Sequence, residues 1–140
     1  MIVFLTRHAS AGDSESWVGD DRLRPLDERG KRQAEALVSQ LEGRELGRIV
    51  SSPYLRCVET VIPLATARGL EVERDEALAE GAGPGPALAL FRSATVPLLA
   101  SVHGDLCESL LGKSIKKGAT TVLDVTPDGL EVLERLKPQA

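Results

Sequence analysis

The sequence predicts an α/β fold, a mostly parallel sheet with helices on both faces and a C-terminal β-hairpin. Three observations predict it. Apolar runs at residues 1–5, 49–50, 96–102 and 119–125 alternate with stretches of helical periodicity, the pattern of βαβ units. The first run, Met1-Ile2-Val3-Phe4-Leu5, has no polar alternation, as expected of a strand buried on both faces. Near the end, Pro127-Asp128-Gly129 is a turn signal ahead of residues 130–136, which alternate as a returning strand would, with a short helix as the alternative.

The elements follow in order. Residues 10–25 form a long loop containing Gly12, Gly19, the acids Asp13, Glu15, Asp20 and Asp21, and the only tryptophan, Trp17. A connection of that length is often functional. Trp17 either anchors the loop to the body or lines the mouth of a site. Asp27 reads as a helix N-cap and Gly43 as the stop, with Ala34, Leu37, Val38 and Leu41 on the buried face. Ile49 and Val50 begin a second strand that ends at Ser51-Ser52-Pro53. There a Ser cap and Pro at the first helical position open a helix from about Tyr54 to Arg68, closed by Gly69. Pro63 should kink or split that helix. Residues 70–74 read as an edge strand, 80–86 as a Gly- and Pro-rich loop and 87–91 as a short helix. After the strand over 96–102 come a helix over 106–111, a basic turn over 113–118 and a strand over 119–125.

Composition bounds the rest. The 140 residues make one domain, residues 1–140, large enough for a real core. Hydrophobic content of 42% and charged content of 27% exclude a disordered chain, and 3% aromatic residues leave the core to Leu, Val, Ile and Ala. A net charge of −4 argues against a nucleic-acid-binding surface. No apolar run approaches membrane-spanning length and the start does not read as a signal peptide, so the expected location is the cytoplasm. Cys57 and Cys107 show no metal-ligand spacing and read as packing residues in a reducing compartment, although their spacing alone leaves a disulfide open.

In open α/β sheets ligands gather at the carboxyl ends of the strands. Arg7 and His8 stand at the end of the first strand, and His103-Gly104 repeats the arrangement on another. Both histidines of the chain therefore fall at strand exits. Arg56 falls in the first turn of a helix that starts at a strand end, where free N–H groups already favour an anion. Arg offers a planar fork suited to phosphate, and His is a nucleophile or an acid–base group near neutral pH.

Four blocks in order carry a resemblance: Thr6-Arg7-His8-Ala9, Pro25 to Ala34, Ser51 to Thr60, and His103-Gly104. They resemble the histidine phosphatase (phosphoglycerate mutase-like) superfamily, and within it the SixA-type phosphohistidine phosphatases. The resemblance implies a phosphoglycerate mutase-like fold and a two-step phosphoryl transfer in which His8 becomes a phosphohistidine that water hydrolyses. It implies that Arg7, Arg56 and His103 hold the phosphoryl oxygens, with Gly104 as a further phosphate-binding position. Glu80 stands where many relatives carry the acid that protonates the leaving group, a solvated loop carboxylate being the alternative. Glu59, where relatives more often have Gln, reads as helix surface, and Asp105 would place negative charge near the phosphate. Asp27 and Gly30 have structural explanations, capping and close packing. The scheme calls for no metal and no cofactor.

The long insertions that cover the pocket in mutases and larger acid phosphatases are missing, which suits a phosphorylated side chain on a protein. The expected partner is thus a phosphorylated protein, with phosphohistidine foremost, or else a small phosphomonoester such as a nucleotide or sugar phosphate. Neither nucleic acid nor membrane is expected. From a different class, a phosphate-binding module without turnover would have no need of His8.

Overall fold

The apolar run at the start of the chain becomes an interior strand. The computed structural model describes residues 1–139. Its six strands are β1 (Ile2–Arg7), β2 (Arg48–Ser51), β3 (Val72–Arg74), β4 (Leu98–Val102), β5 (Thr120–Thr126) and β6 (Gly129–Leu136). They lie in one sheet in the order β3-β2-β4-β1-β5-β6. The first four in that order run parallel, while β5 is antiparallel to β1 and β6 to β5. The expected mostly parallel sheet with a terminal hairpin is therefore present.

Alternation along the central strands divides the core into two layers. Val3, Leu5, Leu98 and Ala100 point to one face, where they meet Phe91 of α3 (Pro84–Ser93) and Leu106 and Cys107 of α4 (Gly104–Leu111). Phe4, Ile49 and Leu99 point to the other and meet Leu37 of α1 (Glu28–Gln40) and Val61 and Leu64 of α2 (Leu55–Arg68). With apolar side chains buried on both faces, β1 and β4 show no polar alternation. Cys57 and Cys107 are both free and buried.

The end of β1 is locked to α1. Asp27 caps α1 through Gly30 N–H (2.8 Å), and its other carboxylate oxygen accepts Ser10 Oγ–H (2.7 Å) and Gly12 N–H (2.9 Å). Any side chain at Gly30 would run into the Ser10 carbonyl, so the first turn of α1 can pack this closely only with glycine.

Several boundaries differ from the sequence reading. α1 ends at Gln40 instead of running to Gly43, because backbone turns from Glu42 to Ser39 and Arg44 to Leu41 close it early. Pro53 is not the first helical residue. Tyr54 is the N-cap of α2, and the Ser52 side chain is used elsewhere. Pro63 does not split α2, which continues to Arg68 and ends on left-handed Gly69. Its neighbours Val61, Leu64 and Ala65 are buried against the sheet and hold both halves of the helix in place, offsetting the lost hydrogen bond. The stretch expected to be loop through Pro86 instead starts α3 at Pro84, since Pro fits the first turn of a helix, where no N–H is needed.

Candidate active site

Sheet register brings the predicted site residues together. Arg7 pairs with Val102 across β1 and β4, and Ser51 pairs with Ser101 across β2 and β4. One residue further, His8 N–H donates to Val102 O and Ser52 N–H to Ser101 O, both at 2.9 Å. His8, His103 and Ser52 thus leave three adjacent parallel strands at one level. The two imidazole rings meet edge to face with centroids 5.7 Å apart.

His8 is held in one tautomer. Its Nδ1 lies 2.8 Å from the Ala9 carbonyl, which can only accept, so Nδ1 carries the hydrogen and Nε2 keeps its lone pair. Burial, reinforced by the charges of Arg56, His103 and Arg7 against the opposing effect of the Ala9 bond, pushes its pKa down to about 3. The ring is therefore neutral near pH 7. Thr60 Oγ1 accepts Ala9 N–H (2.9 Å) and donates to Arg56 O (2.7 Å), joining the exit of β1 to the first turn of α2.

Two arginines converge on the same place. Arg7 donates through Nη1 to Ile115 O (2.6 Å), and its guanidinium lies against Gly104, where a Cβ would come within 2.8 Å of Cζ. Arg56 is 1% exposed. It donates through Nη1 to Asp21 O (2.8 Å), and its Nη2 pairs with the Asp21 carboxylate (3.1 Å). The Nε atoms of both arginines are buried without an acceptor. Two guanidinium groups lining one cleft form a site prepared for an anion.

His103 sits behind this pair. Its Nε2 is 2.8 Å from Ser52 Oγ, which also accepts Tyr54 N–H. Its Nδ1 is 3.8 Å from Glu80 Oε2, and the Tyr54 ring packs edge-on at 4.5 Å. Burial, with Arg56 adding to it against the pull of Asp105 and Asp21, lowers its pKa to about 4. Glu80 is half exposed, and its Oε2 also lies 3.7 Å from Arg56 Nη2. Its loop is fixed by Gly81 N–H, which donates to Asp105 Oδ2 (2.8 Å). Asp105 does face the cleft, as expected, and it also holds this loop.

Arg7, His8, Arg24, Arg56, Glu80 and Gly104 line a cleft of about 370 Å³, with exposed Ser14 and Lys117 on its rim, while buried His103 lies behind the lining. Arg24 and Asp21 were not anticipated. Arg24 is 7% exposed and donates to Ala11 O (2.6 Å) and Asp21 Oδ1 (2.9 Å). The Arg24 bond, with Arg56 beyond it, holds the Asp21 carboxyl below its usual range. One acid of the long loop thus positions two arginines. The only signal was an Arg-Pro pair closing an acidic loop. Trp17 does not line the cleft. Its indole donates to Asp20 O (2.9 Å) and borders a neighbouring depression. Asp27 and Gly30 lie outside the cleft, as expected. Glu59 departs from the helix-surface reading: half-buried, it accepts Leu26 N–H (2.9 Å) and ties α2 to the entry of α1.

The neutral histidines give stability a defined pH dependence. Each has a folded pKa below the unfolded value near 6.5, so the unfolded chain binds more protons as pH falls from 6.5 toward 4. Stability should therefore drop across that window, by on the order of a few kcal/mol in total. Urea midpoints at pH 7, 5.5 and 4.5 measure it, and His103→Gln should flatten the slope.

Comparison with known proteins places these features. The family model of the histidine phosphatase superfamily (branch 1) matches residues 3–84. The chain is 40% identical over 80 residues to the 8-oxo-(d)GTP phosphatase of Mycolicibacterium smegmatis, a match covering 57% of this chain and 25% of that protein. It is 35% identical over 79 residues to phosphoserine phosphatase 1 of Hydrogenobacter thermophilus, covering 56% of this chain and 37% of that one. It therefore spans well under half the length of either. In fold it is similar to the protein histidine phosphatase SixA complexed with tungstate, with a TM-score of 0.80 at 22% identity over 99% of this chain and 97% of that one. The matched segment contains the Arg7-His8 strand end, the capped first helix and Arg56, and the chain belongs to the histidine phosphatase superfamily.

Proposed function

We propose that residues 1–140 act as one catalytic domain, a phosphatase that works through a phosphohistidine on His8 and acts on phosphohistidine in a signalling or phosphotransfer protein. One observation carries the reading. His8, with its lone pair on Nε2, shares a cleft with the two guanidinium groups of Arg7 and Arg56. A phosphoryl group between the two guanidinium groups would accept from both and present phosphorus to the imidazole.

In the first step Nε2 attacks phosphorus as the bond to the leaving nitrogen or oxygen breaks. Arg7 and Arg56 hold the phosphoryl oxygens and balance the charge that builds there. His103, whose Nε2 shares a hydrogen bond with Ser52 Oγ, is assigned as a further donor to the phosphoryl group. Glu80 supplies the proton to the leaving group. In the second step its carboxylate takes a proton from water as that water attacks phosphorus, and the Nε2–P bond breaks.

The exposed rim and the likeness in fold to SixA favour a phosphorylated side chain on a protein. The free, buried cysteines suit a cytoplasmic setting, and among the described residues no helix is long and apolar enough to cross a membrane. A second reading, a phosphatase for small phosphomonoesters such as nucleotides, is favoured by the 40% identity to the 8-oxo-(d)GTP phosphatase segment.

The deciding experiment compares phosphate release from a phosphohistidine-bearing protein domain and from p-nitrophenyl phosphate. Activity on both that rests on Glu80 only for the ester would place both reactions in one pocket. Glu80→Gln should lower ester turnover about 100-fold, because an alkoxide needs a proton more than an imidazole does, while phosphohistidine turnover changes much less. Equal losses on both substrates would remove Glu80 as the leaving-group acid.

A further inference from the structure

Next to the cleft, the basic turn over residues 113–118 forms one wall of a second groove of about 270 Å³. Its cationic side chains are Lys113, Lys116, Arg135 and Lys137, and among the described residues no carboxylate lines it. The floor is apolar, formed by Ile115, Ala119, Leu136 and Pro138. Ser114 lines both this groove and the cleft, so the two adjoin. In a chain of net charge −4 this is a marked local excess of positive charge. Across the cleft, the loop over residues 10–25 contributes Ser14 and Arg24 to the lining.

The turn is fixed to the catalytic strand. Gly118 N–H donates to the carbonyls of Arg7 (3.1 Å) and His8 (3.0 Å), and Arg7 Nη1 donates to Ile115 O (2.6 Å). Ile115 is buried, while Lys113, Lys116, Arg135 and Lys137 are exposed. Among the described residues none of these four side chains has an ion-pair or hydrogen-bond partner. Four cations are thus held in place beside the cleft with no internal use.

We propose that this groove docks an acidic segment of the phosphoprotein substrate, an assignment that rests on the phosphatase reading above. A small phosphomonoester ends inside the cleft, and only a ligand that continues past Ser114 reaches the groove. The apolar floor between the cations suits a peptide of mixed carboxylate and aliphatic side chains better than a bare polyphosphate. The basic groove also orients such a partner at the mouth, since charge complementarity sets encounter and register.

The test uses the double variant Lys116→Glu/Arg135→Glu, two exposed side chains outside the catalytic cleft, with circular dichroism to confirm the fold. A fluorescent, unphosphorylated peptide rich in Glu and Leu should bind the wild type and His8→Ala alike. Binding should weaken about tenfold in the double variant and fall with added salt. Turnover of p-nitrophenyl phosphate should stay within about twofold, since rim charges act on association and not on the reacting atoms. Absent or equal peptide binding would overturn the proposal. So would tripolyphosphate binding to the groove in place of the peptide, which would reassign it to polyphosphate. The peptide measurement needs no turnover, so a failed phosphatase reading shows in the p-nitrophenyl phosphate assay alone.

Discussion

His8→Ala should abolish phosphate release from every substrate, a loss of about 10⁴-fold or more, as expected when a nucleophile is removed. Only His8 combines a lone pair in the cleft with a tautomer locked by a carbonyl, at 2.8 Å from Ala9 O. Water attacking directly would still feel the arginine clamp, so a small residual rate is compatible with the scheme. Rapid-quench trapping should find an acid-labile phosphoenzyme in the wild type and none in the variant. Its pH dependence follows from the ring's environment. With a pKa of about 3, His8 stays neutral through the working range, so its own titration adds no acid limb to kcat/KM above about pH 4. A variant that kept more than a tenth of wild-type turnover would rule out His8 as the nucleophile.

Arg56→Lys should lower kcat/KM by about 10² to 10³-fold although it keeps the charge. The guanidinium serves two functions at once. Each of its two Nη atoms gives one hydrogen to Asp21, through the main-chain carbonyl at 2.8 Å and the carboxylate at 3.1 Å, which leaves each a second hydrogen for a phosphoryl oxygen. An ammonium cannot span that arrangement. If it reaches Asp21 it withdraws from the phosphoryl group, and if it reaches the phosphoryl group it leaves Asp21 without its partner. Phosphate or vanadate affinity should fall together with kcat. A thermal melt on the same sample separates this from unfolding, because Arg56 is also packed over the Tyr54 ring at 4.9 Å. Near-wild-type turnover in the lysine variant would show that charge alone suffices and that the fork is not used.

Within the sequence, the strand ends and the residues on them were legible for local reasons. A run of five apolar residues stopping at Arg7-His8 marks a buried strand and its exit without reference to any distant residue. An Asp cap at Asp27 and a left-handed glycine at Gly69 likewise act within a turn of helix, and the structure places both where expected. The clustering of Arg7, His8, Arg56 and His103 followed from topology, since parallel strands in one sheet must end on one edge. Boundaries were missed where tertiary packing overrode a local preference. Pro63 remains inside α2 because its neighbours are buried, and Pro84 begins a helix within what reads as loop.

The sequence by itself therefore determined the order of elements, the edge on which the site lies and the residue types on it. Tertiary structure decided the burial of His8, the recruitment of Arg24, the use of Asp21 and the proximity of Glu80 to His103. Those depend on contacts between distant positions: 35 residues separate Asp21 from Arg56, and 51 separate Ser52 from His103. Periodicity, caps and turn residues report only the energetics of a few neighbouring positions. The path of a long loop is set by which buried donors and acceptors remain to be paired once the sheet has formed, and that is a property of the whole fold.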